Sequence, residues 1–540
     1  FFYLMSYSIN PQFLHLLKKA RDPRLAFNVR ADLTGRKAED LQGELVINDV
    51  RFENNGQLLK VDEIRANALS VDSNLVYVLT SDILDATLTG RFQANELLFS
   101  AKQLLAEYLP SALPTPVLKD HQLVSDFDVH ATLKPSKALA AVLDVPVRYD
   151  QPIHLDGFYR HQAGRFRFKA VAPHLMYGES VVQGFNFLLE NPQQEIKLIA
   201  NALVGDATDP MNLNVDVRGM NDLASIGLFW SNAGKQTQAG TINAGLRFSR
   251  SASGKPGFKA TFQPSELVIR DTVWQVHPAT LQLTDDRIAV SAFQLSHLDE
   301  YIRIDGLASA QPTDTLFIAF NDFRLDDLVR MLPKSEMLFG GKITGVAACP
   351  HLLNKGTMVA ELGVDHFSIN EVVMGNLKAS TQWNSSIKGL DLYGVIHTLP
   401  DGPSGGRQLA SATGSFLPLS DSLILDIDAH KVPLNFLKPY LETFIPTFSA
   451  VGSGHVRVAG PFKKIGVETS ALVENASITV GIINTTYTFT DSIFVTPDYI
   501  AFRNIKATDK EGNVGYVNGM VRYDHFQNME TQIDITLNRL

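Results

Sequence analysis

Few residues in this chain have the types and spacing that chemistry needs. Asp426 and Asp428 flank Ile427, so on a strand both carboxylates share one face. Such a pair could hold calcium, and it is also the ordinary pattern of a solvated strand face. Asp509-Lys510-Glu511-Gly512-Asn513 has the composition of a calcium loop but not the spaced ligands of a complete one, and it reads as a turn. The fourteen histidines are scattered, and His397, His430, His455 and His525 fall in or near strand-like runs. The one cysteine, Cys349, has no partner for an internal disulfide and reads as a small buried apolar group. No His-Glu-x-x-His helix, Gly-x-Ser-x-Gly elbow or phosphate-binding loop is present. Asn384, Asn475 and Asn484 each open a glycosylation-type triplet, which we read as chance matches. Trp230, Trp274 and Trp383 are read as core or groove-wall residues. The expectation is a protein without catalytic residues, metal or cofactor.

The elements that would position any site are therefore the informative part. At 540 residues the chain is too long for one compact core, so several domains or a repeat array are expected. With 45% hydrophobic and 19% charged residues it has the composition of a folded protein. The net charge of -9 is spread along the chain without basic clustering, which argues against a nucleic-acid surface. No apolar run is long enough for a membrane-spanning helix. The start lacks an initiator methionine and a signal-peptide layout, and the last residues fall inside an alternating pattern, so an internal piece of a longer protein is expected.

Period-2 alternation dominates from Phe27 onward. It is punctuated by short helical patterns. Pro11–Ala20 opens with proline at its first turn, and Ser136 caps 136–143. In 101–109, Ala101, Leu104, Leu105 and Tyr108 share a helical face closed by Pro110. In 323–332, Leu325, Leu328, Val329 and Leu332 do the same before Pro333. In 432–445, Leu434, Leu437, Leu441 and Phe444 precede Pro446. A weaker copy is expected at 222–230, capped by Asp222. These marks divide the chain into β repeats of about 110 residues: 1–110, 111–230, 231–333, 334–446 and 447–540.

Each strand has one apolar and one polar face, and the apolar face must be covered. Helices this few and short cover little of it. The options are a sandwich, a closed barrel, or a curled sheet whose apolar face lines a groove. No strong linker or composition shift separates sandwich domains apart from 110–116, so an elongated curled antiparallel β-sheet with a few short inserted helices is the expected fold. Its interior would accept hydrocarbon, worth roughly 0.8 kcal/mol per CH₂ buried. The groove-lining candidates are Val456, Val458, Ile478, Val480, Val517, Val521, Tyr523, Ile533, Ile535 and Leu537. Leu325, Leu328, Val329 and Leu332, with Leu434, Leu437, Leu441 and Phe444, are expected to lie on that face.

Tyr487–Asp491, Ile500–Phe502, Asp509–Asn513 and Gly519–Phe526 follow one another as strand and turn signatures. In this order they resemble the approach to the C-terminal domain of TamB-like translocation and assembly module proteins, relatives of the AsmA-like group, in their bacteroidete branch. Upstream, 41–64 and 77–92 look similar to the same family. The resemblance rests on strands and turns, not on catalytic motifs. It implies a periplasmic β-taco anchored in the inner membrane by a helix outside this chain. It implies phospholipid acyl chains as cargo and an outer-membrane assembly-type barrel protein as partner, in lipid transport or outer-membrane protein assembly. Two other readings stay open: a scaffold that templates outer-membrane β-strands on a sheet edge, and an adhesin of tandem β-sandwiches.

Overall fold

The computed structural model describes the chain except residues 1, 10–22, 36–41, 55, 72–73, 93–105, 114–125, 144–145, 179, 206–207, 233, 235–236, 270, 312, 327–336, 354–356, 403–404, 442–444, 462–463, 481–484, 525–526 and 538–540. The fold is mainly β, with 34 antiparallel strands and a few short helices among the described residues. The expected fold class is met. The Pro11–Ala20 helix lies outside the described residues. The chain forms two units, Phe1–Asp285 and Asp286–Leu540.

In the first unit, alternation sorts side chains cleanly. Leu198 pairs with Leu189 on one side and Val217 on the other, and Val217 pairs with Ile226. The neighbouring row carries Glu190, Lys197, Arg218 and Ser225 on the opposite face. Hydrophobic residues of the apolar rows are mostly half-buried. In a sandwich a second sheet about 10 Å away would cover them fully. This unit is a sheet with one apolar face only partly covered.

The expected helix at 222–230 is instead the strand Leu223–Ser231. Its Asn221-Asp222 lead-in is a two-residue hairpin turn, with φ of 53° and 62°. Leu223, Ile226 and Trp230 fit a helical spacing, but Ile226, Leu228 and Trp230 fit a strand equally well, and pairing on both edges decides for the strand. Leu223 thus faces away from Ile226 and Trp230.

The helical inserts cover parts of the apolar face. Helix Lys137–Leu143 starts where Ser136 predicts, with the Ser136 hydroxyl accepting the Leu139 amide at 3.2 Å. Its Val142 is fully buried against Leu59 and Val61, and the Asn54 side chain donates to the Val142 carbonyl at 2.7 Å. Of the 101–109 helix, Ala106–Tyr108 is helical and 101–105 lies outside the described residues. Tyr108 then joins Tyr159, Phe166 and Ile196 in a buried cluster. Residues 108–111 tie three hairpin turns together. The Tyr108 hydroxyl accepts from Asn191 (2.7 Å), Asp222 accepts from the Ser111 amide and hydroxyl (2.8 and 2.7 Å), and Arg250 donates to the Pro110 carbonyl (3.0 Å).

In the second unit the expected helices are shorter than their patterns. The strand Thr315–Arg324 keeps Phe323 and Arg324, because Phe323 and Arg324 pair with Ile343 and Lys342. Helix starts at Leu325-Asp326, and Leu328, Val329 and Leu332 lie outside the described residues. Likewise Val432 and Pro433 stay in the strand Ser422–Pro433, paired with Gly452 and Val451. A 3-10 turn Leu434–Leu437 and a helical turn Lys438–Leu441 follow, and Phe444 lies outside the described residues. In both places ladder hydrogen bonds to a neighbouring strand outweigh helical spacing, which is a weak preference on its own.

Candidate functional site

The candidate site is the apolar face of the second unit. Six of its strands share a local device that begins in the sequence. The hexapeptides are Ile288–Phe293 (IAVSAF), Ile318–Phe323 (IAFNDF), Leu362–Phe367 (LGVDHF), Ile427–Val432 (IDAHKV), Ala471–Ala476 (ALVENA) and Ile500–Ile505 (IAFRNI). Positions one, three and six are apolar. Positions four and five sit together opposite a single residue of the next strand, which makes a β-bulge.

Each bulge is held in the same way. The fifth residue has a φ between 48° and 58°. Its amide donates to a side chain on the following strand: Ala292 to Asp305 Oδ2 (2.8 Å), Asp322 to Thr344 Oγ1 (2.9 Å), His366 to Asn376 Oδ1 (3.1 Å), Lys431 to Ser453 Oγ (2.9 Å), Asn475 to Thr490 Oγ1 (3.0 Å) and Asn504 to Asn518 Oδ1 (2.6 Å). An amide left without its ladder partner would cost about 1–3 kcal/mol, so the acceptor side chains are what make these bulges tolerable. The bulge is displaced along the strands from one copy to the next. Asp305 pairs with Phe317 while the next bulge is at 321–322, and Thr344 pairs with Gly363 while the next is at 365–366. The bulges therefore form an oblique seam across the sheet.

Buried side chains gather just past this seam, though Val364 and Val473 before it are also buried and Phe293 and Val432 past it stay half-buried. Just past it, Phe323, Phe367, Ala476 and Ile505 are buried, as are Ile343, Met374 and Ala450 on neighbouring strands. Before it, Ile288, Ile318, Leu362, Ile427, Ala471 and Ile500 are all half-buried. A bulge adds a residue to the polar face and none to the apolar one, so the strand bends toward its apolar side. The sheet also curls across its strands: Val372–Asn384 and Ser422–Pro433 approach within 8 Å although two strands separate them in the sheet. Three flat inter-strand steps would span about 14 Å. At the same end, the Asn370 side chain donates to the Phe436 carbonyl at 2.8 Å, and Leu434 packs with Ala450, Val473 and Ala476.

The sequence-picked residues fall on both sides of the seam. Val456 and Val458 lie before it, half-buried, paired with Ile427 and Leu425. Ile478 and Val480 lie past it on the strand Gly466–Val480, also half-buried. Leu434 lies against this closed part, whereas Leu325, Leu437 and Leu441 are half-buried and outside its buried cluster. Val517 and Val521 are half-buried on the apolar face, and Ile533 is exposed on the neighbouring strand. Ile535 and Leu537 belong to the strand Gln527–Leu537, and their side chains lie outside the described residues.

Tyr523 has a different role from the groove wall expected of it. It is buried, and its hydroxyl donates to the Thr496 carbonyl at 2.6 Å, closing the turn 496–499. Burial, with Asp498 nearby, pushes its phenol up to about 12. Because the folded value lies above the ordinary 10, this group's contribution to stability is full below pH 10 and is lost as pH rises through about 12. Tyr523→Phe is expected to lower stability by about 1–2 kcal/mol, read by urea denaturation at pH 8. An unchanged midpoint would show that the turn does not depend on this bond.

The other chemically suggestive residues are occupied structurally. Asp426 and Asp428 sit on the polar face beside His455 and Arg457. The bond to Asp428, and Asp426 nearby, raise the His455 pKa. The Asp509 carboxylate accepts from the Asn513 side chain and from the amides of Glu511 and Asn513, which lowers its pKa and makes it the keystone of a turn. Cys349 is buried, and burial raises its thiol pKa. No group of three or more metal-ligating side chains occurs among the described residues. No family model, curated protein or solved structure matches the chain.

Proposed function

We propose that this protein is a non-enzymatic carrier whose apolar β-groove accepts phospholipid acyl chains. One observation carries the reading. Within each unit the apolar rows run on from strand to strand, yet stay largely half-exposed, with no second sheet over them among the described residues. Leaving so much apolar surface in water is unfavourable at about 25 cal/mol per Å², and a resident apolar ligand would remove that penalty. The strand and turn pattern shared with TamB-like proteins supports placing the carrier in the periplasm of a Gram-negative bacterium. On that basis it serves lipid transport or outer-membrane protein assembly, with an inner-membrane anchor outside this chain and an assembly-type barrel protein as outer-membrane partner.

The test is gentle purification followed by lipid extraction and mass spectrometry. Phospholipid in stoichiometric amount is the expected result. Its absence, together with crosslinks from sheet edges to a nascent barrel protein, would favour strand templating. Limited proteolysis into stable pieces of about 100 residues would favour tandem sandwiches.

A further inference from the structure

We propose that the seam of bulges is a crease that divides the second unit's groove into a closed wall and an open track, and that an extended hydrocarbon chain lies along the track, across the strands. The proposal rests on the carrier reading and gives that cargo a place and a direction.

Three independent features agree on it. The six bulges recur on alternate strands with one geometry, apart from the hairpin Gly389–His397/Gln408–Leu417, whose register shift puts the extra residue, Leu409, on its second strand. Their bends therefore add along a line instead of cancelling. Four of the six side chains just past the line are buried, Phe323 at 3% exposed, Phe367 at 8%, Ile505 at 2% and Ala476 at 0%, while Phe293 and Val432 are half-buried. The first-position side chains before it are aliphatic in every copy and half-exposed (Ile288, Ile318, Leu362, Ile427, Ala471 and Ile500), whereas Val364 and Val473 at the third position are buried. None of these six carries a polar atom beyond the backbone, whose hydrogen bonds are used by the ladder. A ligand lying on them gains from apolar contact alone, which suits an acyl chain and not a headgroup. The glycine beside most acceptors (Gly306, Gly345, Gly375, Gly454 and Gly519) keeps the crease free of side chains at its inner edge.

The crease can be measured without any ligand. In a Cys349→Ala background, spin labels at Val373→Cys and Gln382→Cys flank the Asn376 bulge on one exposed face. Nine residues of straight strand span about 30 Å; the irregularity at Met374 shortens this by itself, so the crease is read from the change when the acceptors are removed. Removing three acceptors together (Thr344→Ala, Asn376→Ala and Ser453→Ala) should lengthen that distance while circular dichroism stays unchanged. An unaltered distance in the folded variant overturns the crease. Each acceptor replaced alone guards against a triple variant that fails to fold.

The track is tested by photocrosslinking, with p-benzoylphenylalanine at Ile318, Leu362 or Ile427, at Phe323 or Phe367, or at the outward Tyr393. The probe is a vesicle of radiolabelled dipalmitoyl phosphatidylethanolamine. Adducts are expected from the first three positions only. Equal labelling from Phe323 or Phe367, or lipid uptake without any adduct at the first three, overturns the track. If no lipid is taken up at any position while the distance still responds to the acceptors, the carrier reading and the track both fail and the crease stands.

Discussion

Gly375→Val is expected to lower the stability of the second unit by more than about 3 kcal/mol, enough to leave much of it unfolded at 37 °C. Gly375 has φ of 139°, a region open to glycine and closed to β-branched residues. A Cβ there would lie 1.9 Å from the His397 carbonyl oxygen and 2.8 Å from its carbon. Those atoms belong to the backbone of the adjacent strand, so relief requires the strands to part. Dihedral strain contributes about 1–3 kcal/mol, and the overlap adds at least as much. Gly512→Ala is the control. Gly512 also has positive φ, 87°, but nothing lies within 4 Å of a Cβ placed there, so the expected cost is about 1 kcal/mol. The comparison is made by urea denaturation. Equal midpoints for the two variants would show that close strand approach at Gly375 contributes nothing.

Val458→Asp is expected to empty the groove of acyl chains while leaving the protein folded. Val458 sits on the apolar face between Leu425 and Val467, half-exposed. In the empty protein its carboxylate would reach water, so the stability cost is about 1–2 kcal/mol. A chain lying over it would strip that water, and an unpaired carboxylate in hydrocarbon costs far more than the chain gains from a few methylenes. Occupancy, read by mass spectrometry of extracted lipid, should fall at least tenfold, equivalent to about 1.4 kcal/mol. Arg457→Ala, on the opposite face, should leave occupancy unchanged. Normal lipid load in folded Val458→Asp would remove the groove from consideration as the binding surface.

Local chemistry that needs only near neighbours was legible in the residues. The capped helix at 136–143, the turn at 509–513 and the alternating strands of the last hundred residues all follow from spacing and turn composition. The helix expected at 222–230 shows the limit. A run of five to nine residues with apolar positions at both helical and strand spacing is ambiguous until a neighbour offers hydrogen bonds. Asn221-Asp222 was the available signal, since such a pair favours a hairpin turn as well as a helix cap. At 323–324 and 432–433 the same ambiguity is settled for the strand by pairing with 342–343 and 451–452.

The seam is legible in the residues only in part. Its pattern is visible in IAFNDF and IAFRNI, where two outward residues interrupt the alternation. Read singly, that interruption is an irregular strand or a loop. It becomes a bulge only when the opposite strand supplies one residue for two and a side chain for the freed amide. Asp305, Thr344, Asn376, Ser453, Thr490 and Asn518 do this from positions 10 to 22 residues away.

The amino-acid order by itself determined that this is a mainly β protein whose strands each carry an apolar and a polar face, because side-chain alternation is a property of one strand. Only the tertiary structure decided how far each apolar residue is covered. Ile318 and Phe323 lie five positions apart in one strand, yet one is half-exposed and the other buried. The bulge at Asn321-Asp322 lies between them. The difference comes from a bend that each strand makes only slightly and that neighbouring strands, in register, add into a crease.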